Sequence, residues 1–316
     1  MPRLTPIRAV LLLAFMLAGC DSRTAEYPAG TPEQTLDSAA AMVADGNADR
    51  LVELVYAEDE HMRSLLNQVG LLLGSMQALA DAVQKRFPEE LEALRSRTAR
   101  EGAGPILARL VASGRSSTNR EFGVSQIDRT GLTLDTGKAG RKRKARPPQM
   151  SQSQRELVNS LLRQLLADPY RWLEQGRSRL TTSRITDDTV AILWDERAIL
   201  PPFGLVLIQR ENRWWLVPPT RFPGVRKVMP RTEDEWFVWG SMVKTIRNVV
   251  EDLRKDVDAG RVRNLTDLAD TAIEKAAIPS MLIFFAYSNL VEQREQEQSA
   301  RTGAKNNAPD PPPVKP

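Results

Sequence analysis

The histidine at position 61 is the first side chain in this sequence whose type and setting suggest chemistry. It follows three carboxylates, in the run Glu58-Asp59-Glu60-His61. A histidine beside carboxylates keeps its proton more readily and can serve as a general acid or base. Acidic residues are also favoured in the first turn of a helix for purely electrostatic reasons. The run therefore favours a solvated helix start over a catalytic group.

The chain has one histidine and one cysteine, which restricts the sites it can build. These counts exclude a zinc site made of Cys and His ligands, a disulfide framework and a Cys–His nucleophile pair built across the fold. The sequence contains no Gly-x-Ser-x-Gly nucleophile elbow, no P-loop and no dinucleotide-binding glycine motif. We therefore expect neither an enzyme nor a bound cofactor.

Three further pairs of residues are candidate sites. Asp187-Asp188 stands between two predicted strands, where aspartate is favoured in turns. Trp214-Trp215 lies on a predicted strand, so one ring should enter the core and the other should face a covering helix or a pocket mouth. Trp236 and Trp239 are three residues apart and should share one side of a helix. Core packing is favoured over ligand stacking for both tryptophan pairs.

The first twenty residues carry the most specific signal. Two arginines precede an apolar run at 9–18, which is shorter than the roughly 20 residues of a membrane span and fits the hydrophobic region of a signal peptide. The run ends in Leu17-Ala18-Gly19-Cys20, which resembles the lipobox of bacterial lipoproteins. The alternative is an ordinary cleaved signal peptide followed by a chance cysteine.

The lipobox resemblance implies how the mature protein is held. In lipoproteins of this kind the peptide, here 1–19, is removed, and Cys20 carries a diacylglyceryl group and an acylated amine, which are palmitate-like chains. Two or more chains give stable anchoring. We expect the protein on the extracytoplasmic side of the bacterial cell membrane, with 20–30 as a tether. Asp21 resembles the inner-membrane retention signal of enteric bacteria, and the choice between inner and outer membrane stays open.

Positive charge is concentrated in one part of the chain. Residues 95–146 contain 13 basic and 4 acidic residues. Six of the basic residues lie in a predicted loop at 137–150, and they are Lys138, Arg141, Lys142, Arg143, Lys144 and Arg146. Such clusters attract anionic lipid, so this loop is a candidate binding site for anionic lipid or another envelope polyanion. Nucleic acid is not an expected partner of an exported protein, and a solubilising loop without a partner is the alternative.

Hydrophobic periodicity predicts an α+β fold that is rich in helix. A capping box, Thr31-Pro32-Glu33-Gln34, begins the first helix, and an apolar stripe from Met62 to Phe87 marks a long amphipathic helix. The other predicted elements are helices at 89–100, 104–113 and 151–167, a hairpin at 121–136, strands at 180–185, 189–194, 203–210 and 213–217, and a C-terminal helical hairpin at 233–259 and 265–291.

These elements predict one domain at 31–291, with a curved antiparallel sheet packed on helices. The stripes of the long helix and of the helix from 233 should pack against each other or against the sheet. Residues 292–316 are polar and end in a proline run, so we expect a disordered tail. Ala276–Val291 has no charge, and a buried core helix is favoured there over a second membrane contact.

Part of the predicted core resembles the nuclear transport factor 2-like superfamily. The resemblance rests on the opening helix at 31–34, the break Asp45-Gly46-Asn47-Ala48-Asp49, the helix at 51–56 and the final hairpin strands, including Leu205–Arg210 and Asn212–Val217. It implies a curved sheet wrapped on helices around a cone-shaped pocket. It brings no catalytic motif.

Two functions follow as expectations. The first is a lipid-anchored envelope protein that acts as a non-catalytic binding or scaffold module, with its protein partner unassigned. The alternative is a small-ligand carrier or an enzyme with a cone-shaped pocket. A filled, apolar interior favours the first function, and a polar pocket that holds His61 or paired carboxylates favours the second.

Replacing the lipidated cysteine tests the anchor. We expect Cys20→Ser to abolish acylation and to move the protein from the membrane pellet to the soluble fraction, because no other lipid attachment site is predicted. Cell fractionation with a high-salt wash measures this. A variant that stays in the washed pellet would show that another element, with 276–291 as the first suspect, holds the protein there.

Overall fold

The computed structural model describes residues 26–100, 152–174, 176–199, 205–220, 225–226 and 229–306. These residues form the predicted α+β fold, which combines long helices with an antiparallel sheet. The helices are α1 (Pro32–Ala44), α2 (Glu60–Arg86), α3 (Pro88–Arg100), α4 (Gln152–Ala167), α5 (Arg171–Glu174), α6 (Glu233–Asp258) and α7 (Leu265–Asn306), with 3₁₀ turns at Ala48–Leu54 and Arg177–Arg179. The strands are β1 (Leu180–Thr186), β2 (Thr189–Trp194), β3 (Arg197–Ala198), β4 (Leu205–Arg210) and β5 (Arg213–Val217).

Side chains cap the first turns of α1, where the sequence predicts a capping box, and of α2. The backbone amide of Gln34 donates to the Thr31 hydroxyl at 3.1 Å, and the Gln34 side chain accepts from the Gly30 amide at 3.1 Å. Asp59 accepts from the Met62 amide at 2.7 Å and caps α2. These bonds satisfy amide groups that the first turn of a helix leaves without an internal partner.

The sheet has the order β1-β2-β4-β5, with β3 paired to β2, and every neighbouring pair is antiparallel. The predicted hairpins β1–β2 and β4–β5 are confirmed, the short strand β3 was not predicted, and the hairpin predicted at 121–136 lies outside the described residues. The β5 edge is covered by the chain itself. The Trp214 amide donates to the Ala29 carbonyl at 2.7 Å, and the Tyr56 amide donates to the Leu216 carbonyl at 2.8 Å. An edge paired in this way does not template aggregation.

The contact at Ala29 shortens the predicted tether. Tyr27 donates its hydroxyl to Asp45 at 3.0 Å, and the Ser38 hydroxyl donates to the Pro28 carbonyl at 2.6 Å. The prediction that 20–30 forms a free tether is therefore wrong from Tyr27 onward, because this stretch packs on α1 and β5. Only the six residues 21–26 then separate Cys20 from the folded body, and they reach about 20 Å at full extension.

The buried apolar side chains form two main cores on either side of α2. The sheet core lies between the sheet and α1, and its large members are Leu36, Val43, Tyr170, Leu173, Ile192, Trp194, Leu207 and Trp214. The helical core joins α2, α3, α4, α6 and α7, and its large members include Leu79, Val83, Phe87, Leu91, Leu166, Leu253, Val257 and Leu268. Met76 of α2 packs against both cores.

The predicted packing of the two long stripes is confirmed. Helices α2 and α6 run parallel, with His61 beside Trp236 at one end and the Ser75 hydroxyl 3.2 Å from the Glu251 carboxylate further along. Helix α7 returns antiparallel to α6, with Trp239 beside Tyr287. The helical core lies where the C-terminal halves of α2 and α6 meet the first turns of α7.

A buried ion pair fixes the far end of α7. Glu235 is fully buried, and its carboxylate accepts from the Arg294 guanidinium at 2.7 and 2.9 Å. Helix α7 continues to Asn306, past the boundary predicted at Val291. Residues 292–306 have no apolar stripe but are rich in Glu, Gln, Arg and Ala, which favour helix. The final residues, 307–316, lie outside the described part of the chain.

The uncharged stretch Ala276–Val291 is not the buried core helix that its composition favours. It forms the middle of α7, and four large apolar side chains on one side of it are exposed, namely Ile278, Met281, Leu282 and Phe285. In the described residues this part of α7 packs on α6, so only one side is covered. Among those residues, no helix is both long and apolar enough to cross a bilayer.

Comparing two leucines of α2 tests the position of the helical core. Leu79 is fully buried, whereas Leu71, two turns earlier, is 50% exposed. We expect Leu79→Ala to lower the free energy of unfolding by about 2–5 kcal/mol, since it leaves a cavity, and Leu71→Ala to lower it by less than about 1 kcal/mol. Chemical denaturation measures both. Equal losses for the two variants would contradict the described packing of α2.

Candidate functional site

The N-terminal half of α2 borders two open depressions of the surface. On one side, α2 and α6 form the walls of a groove of about 810 Å³, here called the helix groove. On the other side, α2 and the Ala48–Leu54 turn face the β4–β5 turn across a pocket of about 640 Å³, here called the strand-end pocket. Both depressions lie beside the N-terminal half of α2, whereas the two cores pack mainly against its C-terminal half.

The helix groove lies mainly between the N-terminal halves of α2 and α6, where several side chains are exposed. In the N-terminal halves, Leu71 is half exposed and Phe237 is 77% exposed, and both line the groove. Gly240 leaves further space, since a methyl group there would meet no atom within 4 Å. The groove is thus open to solvent, and apolar side chains such as Leu71 and Phe237 line it together with polar and charged ones.

Charged residues also line the helix groove. Glu233 and Asp234 line it near the start of α6, together with His61 at the start of α2, and Lys244 and Arg247 line it further along. The His61 and Trp236 rings are nearly parallel, with centroids 5.9 Å apart. The predicted position of His61 in an exposed first helical turn is confirmed. The arrangement can receive an extended, partly apolar segment with charged ends.

The strand-end pocket combines aromatic and guanidinium groups. The Arg213 guanidinium lies 4.6 Å over the Trp215 ring and donates to the Glu53 carbonyl at 3.0 Å. Trp214, its neighbour in sequence, is buried in the sheet core. The expectation that the two tryptophans face opposite sides, one into the core and one toward a pocket mouth, is confirmed. A cation over an indole face is favourable and holds Arg213 at the pocket wall.

Asp188 serves the β1–β2 turn, as its position predicts. Hydrogen bonds from Thr186, then Arg210 and Thr189, lower the pKa of Asp188 to about 2. The carboxylate is therefore ionised at any physiological pH and cannot donate a proton. Its acceptor bonds bring the turn and Arg210 together, which is a structural role.

The second tryptophan pair does not share a partner. Trp236 contacts His61 of α2 and lines the helix groove, whereas Trp239 contacts Tyr287 of α7. A step of three residues turns an α-helix by about 60°, so the two rings lie on neighbouring parts of one side of α6 and reach two different helices. Neither ring is fully buried.

The predicted lipidation and anion-binding residues lie outside the described chain. Cys20 belongs to 1–25, and Lys138, Arg141, Lys142, Arg143, Lys144 and Arg146 belong to 101–151. These residues stay predictions. Within the described ranges, no group of three His, Cys, Asp or Glu side chains is placed to hold a metal ion.

Sequence reasoning missed two side chains that shape the depressions. Phe237 falls outside the apolar stripe of α6, and a large apolar residue out of phase with its helix is the signal that could have marked it. Arg213 was treated only as the first residue of a strand. Its position before two tryptophans was visible, but the pocket depends on the approach of α2, which lies far away in sequence.

Comparisons with known proteins add no relative. No protein-family model, curated protein or solved structure matches this chain. The resemblance of the opening helix and final hairpins to the nuclear transport factor 2-like superfamily therefore stays a prediction drawn from those residues alone.

Proposed function

We propose that this protein is a lipid-anchored bacterial envelope protein that acts as a non-catalytic binding or scaffold module on the extracytoplasmic side of the cell membrane. The observation that carries the proposal is the filling of the space between the sheet and α1. Trp194, Tyr170 and Trp214 occupy that space with their own side chains. Binding is left to the outer surface.

The filled interior counts against the cone-shaped pocket that the superfamily resemblance implies. The Tyr170 hydroxyl donates to the Leu73 carbonyl at 2.6 Å, and burial raises the pKa of Tyr170. The phenol is therefore a neutral structural donor between the sheet core and α2. A pocket at this place would require the displacement of well-packed aromatic side chains, which is costly.

A small-ligand carrier or enzyme remains the second candidate for one reason. The helix groove places His61 near Glu233 and Asp234, the combination of groups that general acid–base chemistry uses. The groove is open along its length, however, and its most exposed wall residue is the apolar Phe237. These features suit a macromolecular segment better than a sequestered reaction.

The short tether supports a role close to the bilayer. If Cys20 is lipidated, the six residues 21–26 keep Tyr27 within about 20 Å of the lipid surface. Electrostatic attraction decays over about 8 Å at physiological salt, so a basic segment must approach the head groups to act. The cluster at 138–146 supplies six positive charges for this purpose.

Two variants with the same net charge test whether the basic cluster binds anionic lipid. The first is Arg141→Ser/Lys142→Ser/Arg143→Ser. The control is Arg63→Ser/Arg184→Ser/Lys255→Ser, which removes three exposed basic residues from α2, β1 and α6. Both are made in the soluble domain that lacks residues 1–20, so that neither an acyl chain nor the apolar run at 9–18 contributes to binding.

Vesicle flotation with anionic and neutral lipid measures the result. At about 1 kcal/mol per charge near the surface, the first variant should lose roughly a hundredfold in affinity for anionic vesicles, and the control should stay close to the parent. Added salt should weaken the parent in the same way. Equal losses in both variants, or no preference of the parent for anionic vesicles at low salt, would contradict the proposed membrane role of the cluster.

A further inference from the structure

The exposed apolar side chains of α7 form one continuous stripe. Ile278, Met281 and Leu282 follow each other at helical spacing, and each is more than half exposed. The α6 side of α7 is a different one, since Tyr287 and Arg294 point to Trp239 and Glu235. Contiguous exposed apolar patches usually mark a contact surface. The question is which residues pack against this stripe.

Carboxylates bound the stripe at both ends. Glu274 lies one turn before Ile278, and Glu292 lies two turns after Phe285, on the same side of α7, and both are exposed. An anionic bilayer is a poor partner for such a surface, because the carboxylates would be repelled as the stripe approached the head groups. A segment with an apolar centre and basic flanks is the complementary partner.

The packing of helix α4 on α7 shows where residues 101–151 rejoin the described chain. The Arg163 guanidinium donates to the Thr266 hydroxyl at 3.4 Å, and the Asn159 amide donates to the Asp270 carboxylate at 3.4 Å. From the first contact to the second, the position shifts four residues back on α4 and four residues forward on α7, so the two helices are antiparallel. When this register is continued for seven more residues, Gln152, the first residue of α4, lies at the level of Ala277. Residues 101–151 therefore rejoin the described chain beside the start of the stripe.

The other end of that segment also leaves from a helix that touches α7. The Leu265 amide, in the first turn of α7, donates to the Glu90 carboxylate of α3 at 3.0 Å. Helix α3 ends at Arg100. The 51 residues between Arg100 and Gln152 thus begin and end on helices that pack on α7.

The sequence of this segment has the required complementarity. Its first predicted helix, 104–113, carries Ile106, Leu107, Leu110 and Val111 at one-sided helical spacing. Arg109 and Arg115 lie within and just after it. We infer that residues 104–113 pack against the α7 stripe as an intramolecular helix, with Arg109 on a segment whose basic charge complements the carboxylates that bound the stripe.

The inference is independent of the lipid anchor and is tested by thiol labelling. Cys20 is the one cysteine of the chain, so Cys20→Ser provides a background without thiols. Leu282→Cys reports on the stripe. Ile185→Cys is the control, since Ile185 on β1 is 57% exposed and Leu282 is 65% exposed in the described structure. The rate of reaction with a maleimide is measured for each at micromolar protein, without lipid.

We expect Leu282→Cys to react at least about tenfold more slowly than Ile185→Cys, because the thiol becomes accessible only when the contact opens. Dilution of the protein should leave this ratio unchanged. Replacing Ile106, Leu107, Leu110 and Val111 by Ser should raise the Leu282→Cys rate to that of the control, with far-UV circular dichroism reporting that the fold is retained. A bifunctional thiol reagent should also link Leu110→Cys to Leu282→Cys within one chain, and this readout does not require the serine variant.

Four results would overturn the inference. Labelling of Leu282→Cys as fast as the control in the absence of lipid would show an open stripe, and the same result with protection only on added vesicles would identify lipid as its cover. Protection that disappears on dilution would identify a second copy of the chain. Protection that survives the four serine substitutions would assign the cover to another segment.

Discussion

The fold depends on one helix, α2, being buried on two sides. Leu72 contacts the helical core, Leu73 contacts the sheet core, and Met76 contacts both. The Gln77 side chain donates to the Val43 carbonyl and accepts from the Ala48 amide, which satisfies the backbone where α1 ends and the 3₁₀ turn begins. The close approach requires Gly70, because a methyl group there would lie 2.7 Å from the Asp49 carbonyl oxygen.

The same constraint produces the two surface depressions. A helix of 27 residues is about 40 Å long, and neither the sheet layer nor the paired half of α6 covers all of it. Side chains beside the N-terminal half of α2 leave two depressions open, the helix groove on one side and the strand-end pocket on the other. The two surface depressions thus lie at the margins of the two cores, while Tyr170, Trp194 and Trp214 fill the space between the sheet and α1.

Local sequence signals predicted the elements whose partners are near in the chain. The cap at Thr31, the β1–β2 and β4–β5 hairpins and the stripe of α2 were predicted correctly because each depends on spacing or turn residues within about one element. The packing of α2 on α6 followed from matched stripes. The position of His61 and the opposite orientations of Trp214 and Trp215 were predicted for the same reason.

Features that depend on distant contacts were not predicted. The prediction of a buried core helix at 276–291 rested on composition alone. Apolar content does not tell which sides of a helix pack against other elements. The packing of Tyr27 to Ala29 on α1 and β5, the continuation of α7 past Val291 toward the Glu235–Arg294 pair, and the helix groove all need tertiary information.

The most direct test of α2 as a shared wall is the equilibrium unfolding of the variant Trp236→Phe/Trp239→Phe. Its remaining tryptophans all belong to the sheet layer, so their fluorescence reports on the sheet core. Circular dichroism reports mainly on the long helices. Coincident transitions are predicted, because neither core keeps its wall without the other. Two separate transitions would contradict the account.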